Sequence, residues 1–139
     1  MKKGDILEGK VLKTEFPNKG ILYIEEKKVV VKNALEGQTI RFSVSKKRKD
    51  RVEGRLLEVL APSPLETASQ DRVCQHFGIC GGCAYQTLPY EEQLALKKRQ
   101  VEDLIEKAGF DFPVEDIYGS PIARGYRNKM EYTFGDEEK

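Results

Sequence analysis

The chain has little of what would place it in a membrane or outside the cell. None of its 139 residues is tryptophan, one is histidine and three are cysteine. Its apolar runs are only a few residues long, so no segment approaches the roughly 20 residues a membrane-spanning helix needs. Met1-Lys2-Lys3-Gly4-Asp5 is not followed by the apolar stretch of a signal peptide. These absences point to the cytoplasm and away from the membrane. In that compartment an odd number of clustered cysteines speaks for metal ligation over disulfides. The 39% apolar content is too high for a fully disordered chain, and the length suits one ordinary domain or two small ones.

Net charge is only +1, but it is unevenly spread. Residues 1–60 hold 15 Lys+Arg against 9 Asp+Glu, a net +6, and residues 61–139 hold 9 against 14, a net −5. A basic first half joined to an acidic second half implies two units with different work.

The first half reads as five short strands, Asp5–Thr14, Gly20–Ile24, Lys28–Val31, Thr39–Ser45 and Val52–Val59, separated by turn and charge signals. Alternation is clearest where Ile40, Phe42 and Val44 share one face. Five strands in under 60 residues imply a small closed or nearly closed barrel, because closure removes exposed edges. The fold class is therefore mainly β plus α: a five-stranded OB-like β-barrel over 1–60, a linker at 61–68 around Pro62 and Pro64, and an α+β segment over 69–139. Within that segment 90–108 reads as a helix, with Glu91 and Glu92 in its first turn, Lys107 in its last and Gly109 at the left-handed cap position. Leu94, Val101, Leu104, Ile105 and Ala108 are its expected buried stripe. Gly125–Gly135 alternates as a strand with an aromatic and a charged face, and no partner strand follows it.

All the cysteine lies in Cys74-Gln-His-Phe-Gly-Ile-Cys80-Gly-Gly-Cys83. Three sulfurs aimed at one point are one short of the four ligands that a zinc ion or a cubane iron–sulfur cluster takes. Gly81 and Gly82 permit positive φ and a tight turn between two thiolates, and bulk at either position would crowd a cluster. Zinc completed by His76 and an iron–sulfur cluster completed by an outside ligand stand level on this chemistry alone.

The order of basic barrel, C-x5-C-G-G-C, Tyr85-Gln86, a Glu-rich helix and Tyr126-Arg127-Asn128-Lys129-Met130 resembles the N-terminal part of TRAM-containing RNA uracil-5-methyltransferases. The resemblance spans nearly the whole chain. It implies a 4Fe–4S cluster on Cys74, Cys80 and Cys83, with a fourth cysteine that has no counterpart here. It implies methyl transfer from S-adenosylmethionine to carbon 5 of a uridine, with rRNA ahead of tRNA as the RNA partner. Catalytic and methyl-donor residues would belong to a C-terminal methyltransferase domain absent from this sequence, so no catalytic residue is expected here and the chain reads as a fragment inactive alone. RNA contacts are expected from the run Lys46, Lys47, Arg48, Lys49 and Arg51, and from Arg127 and Lys129. The alternative is a stand-alone zinc-binding nucleic-acid adaptor.

Overall fold

A computed structural model describes residues 1–68 and 73–135. Six strands form one sheet: β1 (Ile6–Lys10), β2 (Lys13–Glu15), β3 (Lys19–Ile24), β4 (Lys27–Lys32), β5 (Thr39–Lys47) and β6 (Val52–Ala61). Their order is β1-β5-β6-β4-β3-β2, so the two edges of the sheet, β1 and β2, are separated in sequence by only two residues. The sheet thus curls back on itself as an OB-like β-barrel.

The sixth strand comes from a division of the expected Asp5–Thr14 strand. Val11 donates its N–H to Gln38 O and Leu12 donates to Ile21 O, both at 2.8 Å. Two adjacent residues therefore bond to opposite sides of the barrel, and the strand changes partner from β5 to β3 between them. No local sequence signal marks that change.

Alternating side chains fill the interior. Val29, Val31, Ile40 and Phe42 are wholly buried, and β5 alternates buried and half-buried residues from Thr39 to Ser45. Burying each such side chain contributes about 1.5–3 kcal/mol before chain entropy is subtracted. Two glycines make room for the core, since a Cβ on Gly20 would stand 2.6 Å from Ala34 Cβ and one on Gly54 would stand 2.7 Å from Phe42 Cδ2.

The expected linker lies against the barrel. Ser63 is buried, and Glu66 accepts hydrogen bonds from Ser63 N at 2.6 Å, Gln38 Nε2 at 3.0 Å and Thr87 Oγ1 at 2.6 Å. The first part of the expected 69–139 segment, residues 69–72, lies outside the described residues.

The helix, α1, runs Tyr90–Lys107. Gly109 has φ +83°, with Gly109 N donating to Glu106 O and Phe110 N to Ile105 O, the paired bonds of a Schellman end. The expected buried stripe is not the docked face. Leu96 and Gln100 are buried, whereas Val101 and Leu104 are exposed. Polar contacts select this orientation: Gln100 Nε2 donates to Tyr85 Oη at 3.2 Å, Lys13 pairs with Asp103 at 2.8 Å, and Arg99 with Glu36 at 2.7 Å. A smaller apolar cluster of Leu35, Leu88 and Leu96 lies beneath.

From 110 to 135 the chain forms no helix or strand, and the alternating Gly125–Gly135 segment is exposed throughout. A lone strand leaves its ladder groups unpaired, so alternation without a neighbour does not produce one. No helix among the described residues is long and apolar enough to cross a membrane.

Candidate nucleic-acid interface and cysteine loop

The densest basic run is the tip of the β5–β6 hairpin. Lys46 and Lys47 end β5, opposite Glu53 and Val52, and Arg48 N donates to Arg51 O at 2.8 Å to close the turn. A bulge at Ser45, whose hydroxyl donates to Glu53 O at 2.9 Å, breaks the ladder just before the tip. Bulges bend and twist a strand, and this one re-aims the lysines that follow. Glu53 holds both arginines, with Arg48 Nε at 3.2 Å and Arg51 Nη2 at 3.4 Å. Lys47 Nζ donates to Met1 O at 3.3 Å, which brings the N-terminal Lys2 and Lys3 to the same end of the barrel.

The sheet adds a residue that spacing along the chain does not reveal. β4 runs parallel to β6 with Val29 opposite Val52, so Lys27 at the start of β4 stands beside the hairpin tip. Lys27, Lys47, Arg48, Lys49 and Arg51 line one hollow of about 200 Å³. Lys27 lies 20 residues from Lys47, and only strand pairing could have pointed to it.

Arg127 and Lys129 do not join this cluster. Their side-chain partners are local: Arg127 lies 6.0 Å from the centre of the Tyr126 ring, and Lys129 pairs with Glu131 at 2.9 Å. Both sit on the exposed segment that follows the helix.

Elsewhere on the barrel, charge fastens the helix. Glu15 receives Lys107 at 3.2 Å and Lys28 at 3.3 Å. Partial burial pushes its carboxyl up, but the Lys107 hydrogen bond and the Lys28 charge outweigh that and hold it below the ordinary carboxylate value. The hydrogen bond to Asp103 holds Lys13 above its ordinary value.

The cysteine loop is a chain of tight turns. Phe77 N donates to Cys74 O and Cys80 N to His76 O, both at 2.9 Å, and the left-handed residue of the loop is Gly78, φ +91°. Gly81 and Gly82 form the expected turn between the two cysteines, but neither takes a positive φ. His76 N donates to Cys74 Sγ at 3.5 Å and Gly82 N to Cys80 Sγ at 3.4 Å. The Tyr85-Gln86 pair anchors the loop: Gln86 Oε1 accepts from Cys74 N at 2.8 Å, and Tyr85 Oη reaches Pro17 O on the barrel.

Cys74, Cys80 and Cys83 are all exposed free thiols. Among the described residues no three His, Cys, Asp or Glu side chains converge into a metal-holding group. The donor set itself suits a thiolate-seeking metal or cluster, since two of the sulfurs already accept backbone N–H bonds of the kind that stabilise bound thiolate. His76 lies instead beside Gln75, its Nε2 at 3.3 Å from Gln75 Nε2.

No family model matches the chain. It is 44% identical over 143 residues to an uncharacterized RNA methyltransferase of Clostridium tetani, and 45% identical over 140 residues to one of Caldanaerobacter subterraneus. Both matches take in 100% of this chain and 30% of the relative. A third, from Clostridium acetobutylicum, is 43% identical over 98% of the chain and 29% of its own length. The chain is thus kin to bacterial proteins named RNA methyltransferase and spans about 30% of their length.

Proposed function

We propose that the chain is the RNA-binding and cluster-binding part of a cytoplasmic, S-adenosylmethionine-dependent uracil-5-methyltransferase acting on rRNA or tRNA. The observation that carries this reading is similarity along the entire chain to proteins named RNA methyltransferase. The barrel contributes capture. Its basic end offers cations to a phosphate backbone, and exposed Phe16 and Tyr23 offer rings on which unpaired bases stack. Methyl-donor binding and the catalytic residues belong, in this reading, to the part of the relatives that this chain does not span.

Cys74, Cys80 and Cys83 would hold a 4Fe–4S cluster, with the fourth ligand from outside this sequence. When bound, such a cluster cross-links its ligands, a structural role, because transfer from a sulfonium donor needs no redox step. The residues of the chain then do the positioning: Gln86 holds the Cys74 backbone, and Tyr85 ties the loop to the barrel.

Anaerobic isolation of the chain, followed by iron, sulfide and zinc analysis and a visible spectrum, tests the cluster. Near-stoichiometric iron and sulfide with broad visible absorption, lost in Cys80→Ser, is the expected result. A colourless protein with one zinc per chain would overturn it in favour of a zinc-binding adaptor. RNA capture is tested by fluorescence anisotropy with a single-stranded, uridine-rich RNA at several salt concentrations.

A further inference from the structure

The hollow at the hairpin tip has one feature that general basicity does not explain. Arg51 Nε is buried, and among the described residues no acceptor meets it. The same guanidinium places Nη2 on Glu53 at 3.4 Å, so the side chain is held while one donor is left over. A buried donor without a partner costs about 1–3 kcal/mol, a cost that an anion drawing the guanidinium outward to meet it would relieve. Arg51 also lines the hollow, together with Lys27, Lys47, Arg48 and Lys49; Asp50 is in the lining and Glu53 pairs with both arginines.

We propose that this hollow is a binding site for one phosphate group, supplied by a single-stranded RNA backbone, with Lys27 and Arg51 as its principal donors. The source of the phosphate rests on the RNA-binding reading above. The volume, about 200 Å³, admits a phosphodiester group and several waters, taking about 30 Å³ for each water. Five cations from two separate strands and the turn supply the field, and the guanidinium groups among them carry donors of the kind that phosphate oxygens accept. Glu53 is a positioning residue. By receiving Arg48 and Arg51 from one side, it fixes where their remaining donors stand.

Two titrations of the isotopically labelled chain test this, one with inorganic phosphate and one with a single-stranded, uridine-rich RNA. Both are expected to shift the amides of Lys27 and residues 48–52 in a saturable way. Lys27→Ala, at an exposed position, is expected to weaken RNA binding several-fold and to flatten the log–log salt slope by about 0.7, the share of one single-strand phosphate. Lys32→Ala, at the far end of the same strand, is the control and is expected to change both far less. If RNA binds but Lys27→Ala and Arg51→Lys leave affinity and slope untouched, the site is overturned while RNA capture by the barrel stands. If phosphate shifts these amides but RNA does not bind, the anion site stands and the RNA reading falls. If neither probe shifts them, the site is overturned outright.

Discussion

Glu66 accepts the side-chain amide of Gln38 at 3.0 Å, and through that bond the segment after the last strand is fastened to the barrel. Gln38 is itself buried and uses its oxygen to accept from Leu35 N at 2.8 Å. The second oxygen of Glu66 takes Ser63 N, and Thr87 donates to the first, so one carboxylate joins three stretches of chain. Hydrogen bonds to a charged acceptor contribute about 1.5–3 kcal/mol each, and they act here as a unit. Glu66→Ala is therefore expected to cost about 2–4 kcal/mol in urea denaturation, with Glu66→Gln losing less. A loss under about 0.5 kcal/mol would show that the segment is not held by this residue.

Glu25 and Glu26 form the two-residue turn between β3 and β4, with φ of 49° and 65°. Positive φ at both central positions is the geometry of a type I′ turn, which favours Asn-Gly and strains other residues by about 1–2 kcal/mol each. Replacing the pair by Asn-Gly is expected to raise stability by about 1 kcal/mol, read as a higher urea midpoint at unchanged slope. An unchanged or lower midpoint would refute the turn assignment.

Docking of the helix carries a pH signature through Glu15. Its folded-state carboxyl is held below the unfolded value, so its stabilisation is complete above the ordinary carboxylate range and disappears as pH falls through the folded value. Lys13, held above its ordinary value by Asp103, contributes below that value and loses its contribution as pH rises through the folded one. Stability is expected to be flat near neutrality and to decline on acidification below about pH 4, the unfolded carboxylate range. Glu15→Gln is expected to be less stable at pH 7 and to show a shallower acid decline. Equal declines in both proteins would remove Glu15 from the latch.

The barrel was legible where the signal is local. Ile40, Phe42 and Val44 alternate in the sequence and all three are buried. What was not legible depends on partners distant in sequence. The switch between Val11 and Leu12 is a change of neighbour with no change of residue type. Lys27 follows two glutamates and reads as ordinary surface until β4 is laid beside β6. On the helix, hydrophobic periodicity favours Val101 and Leu104, whereas the buried positions are Leu96 and Gln100, because glutamine bonded to Tyr85 counts as interior. Tyr126, Tyr132 and Phe134 alternate as in a strand but stay exposed, since alternation specifies a face only when another strand pairs with it.

The glycines beside the last two cysteines separate a structural demand from a ligand's demand. A Cβ on Gly81 would meet nothing within 4 Å, and one on Gly82 would meet only Cys80 Sγ at 3.5 Å, an ordinary contact. Neither position has a positive φ, so the fold of the metal-free chain asks for glycine at neither. Gly81→Ala and Gly82→Ala are therefore expected to leave the urea midpoint of the metal-free chain within about 0.5 kcal/mol of the parent. If Cys80 and Cys83 hold a cluster, the added methyl groups crowd its sulfides and the backbone donors around them. The double variant should then retain much less iron and sulfide after anaerobic reconstitution, despite its unaltered fold. Full retention by that variant would leave the glycine pair without a role and remove the cluster's strongest local argument.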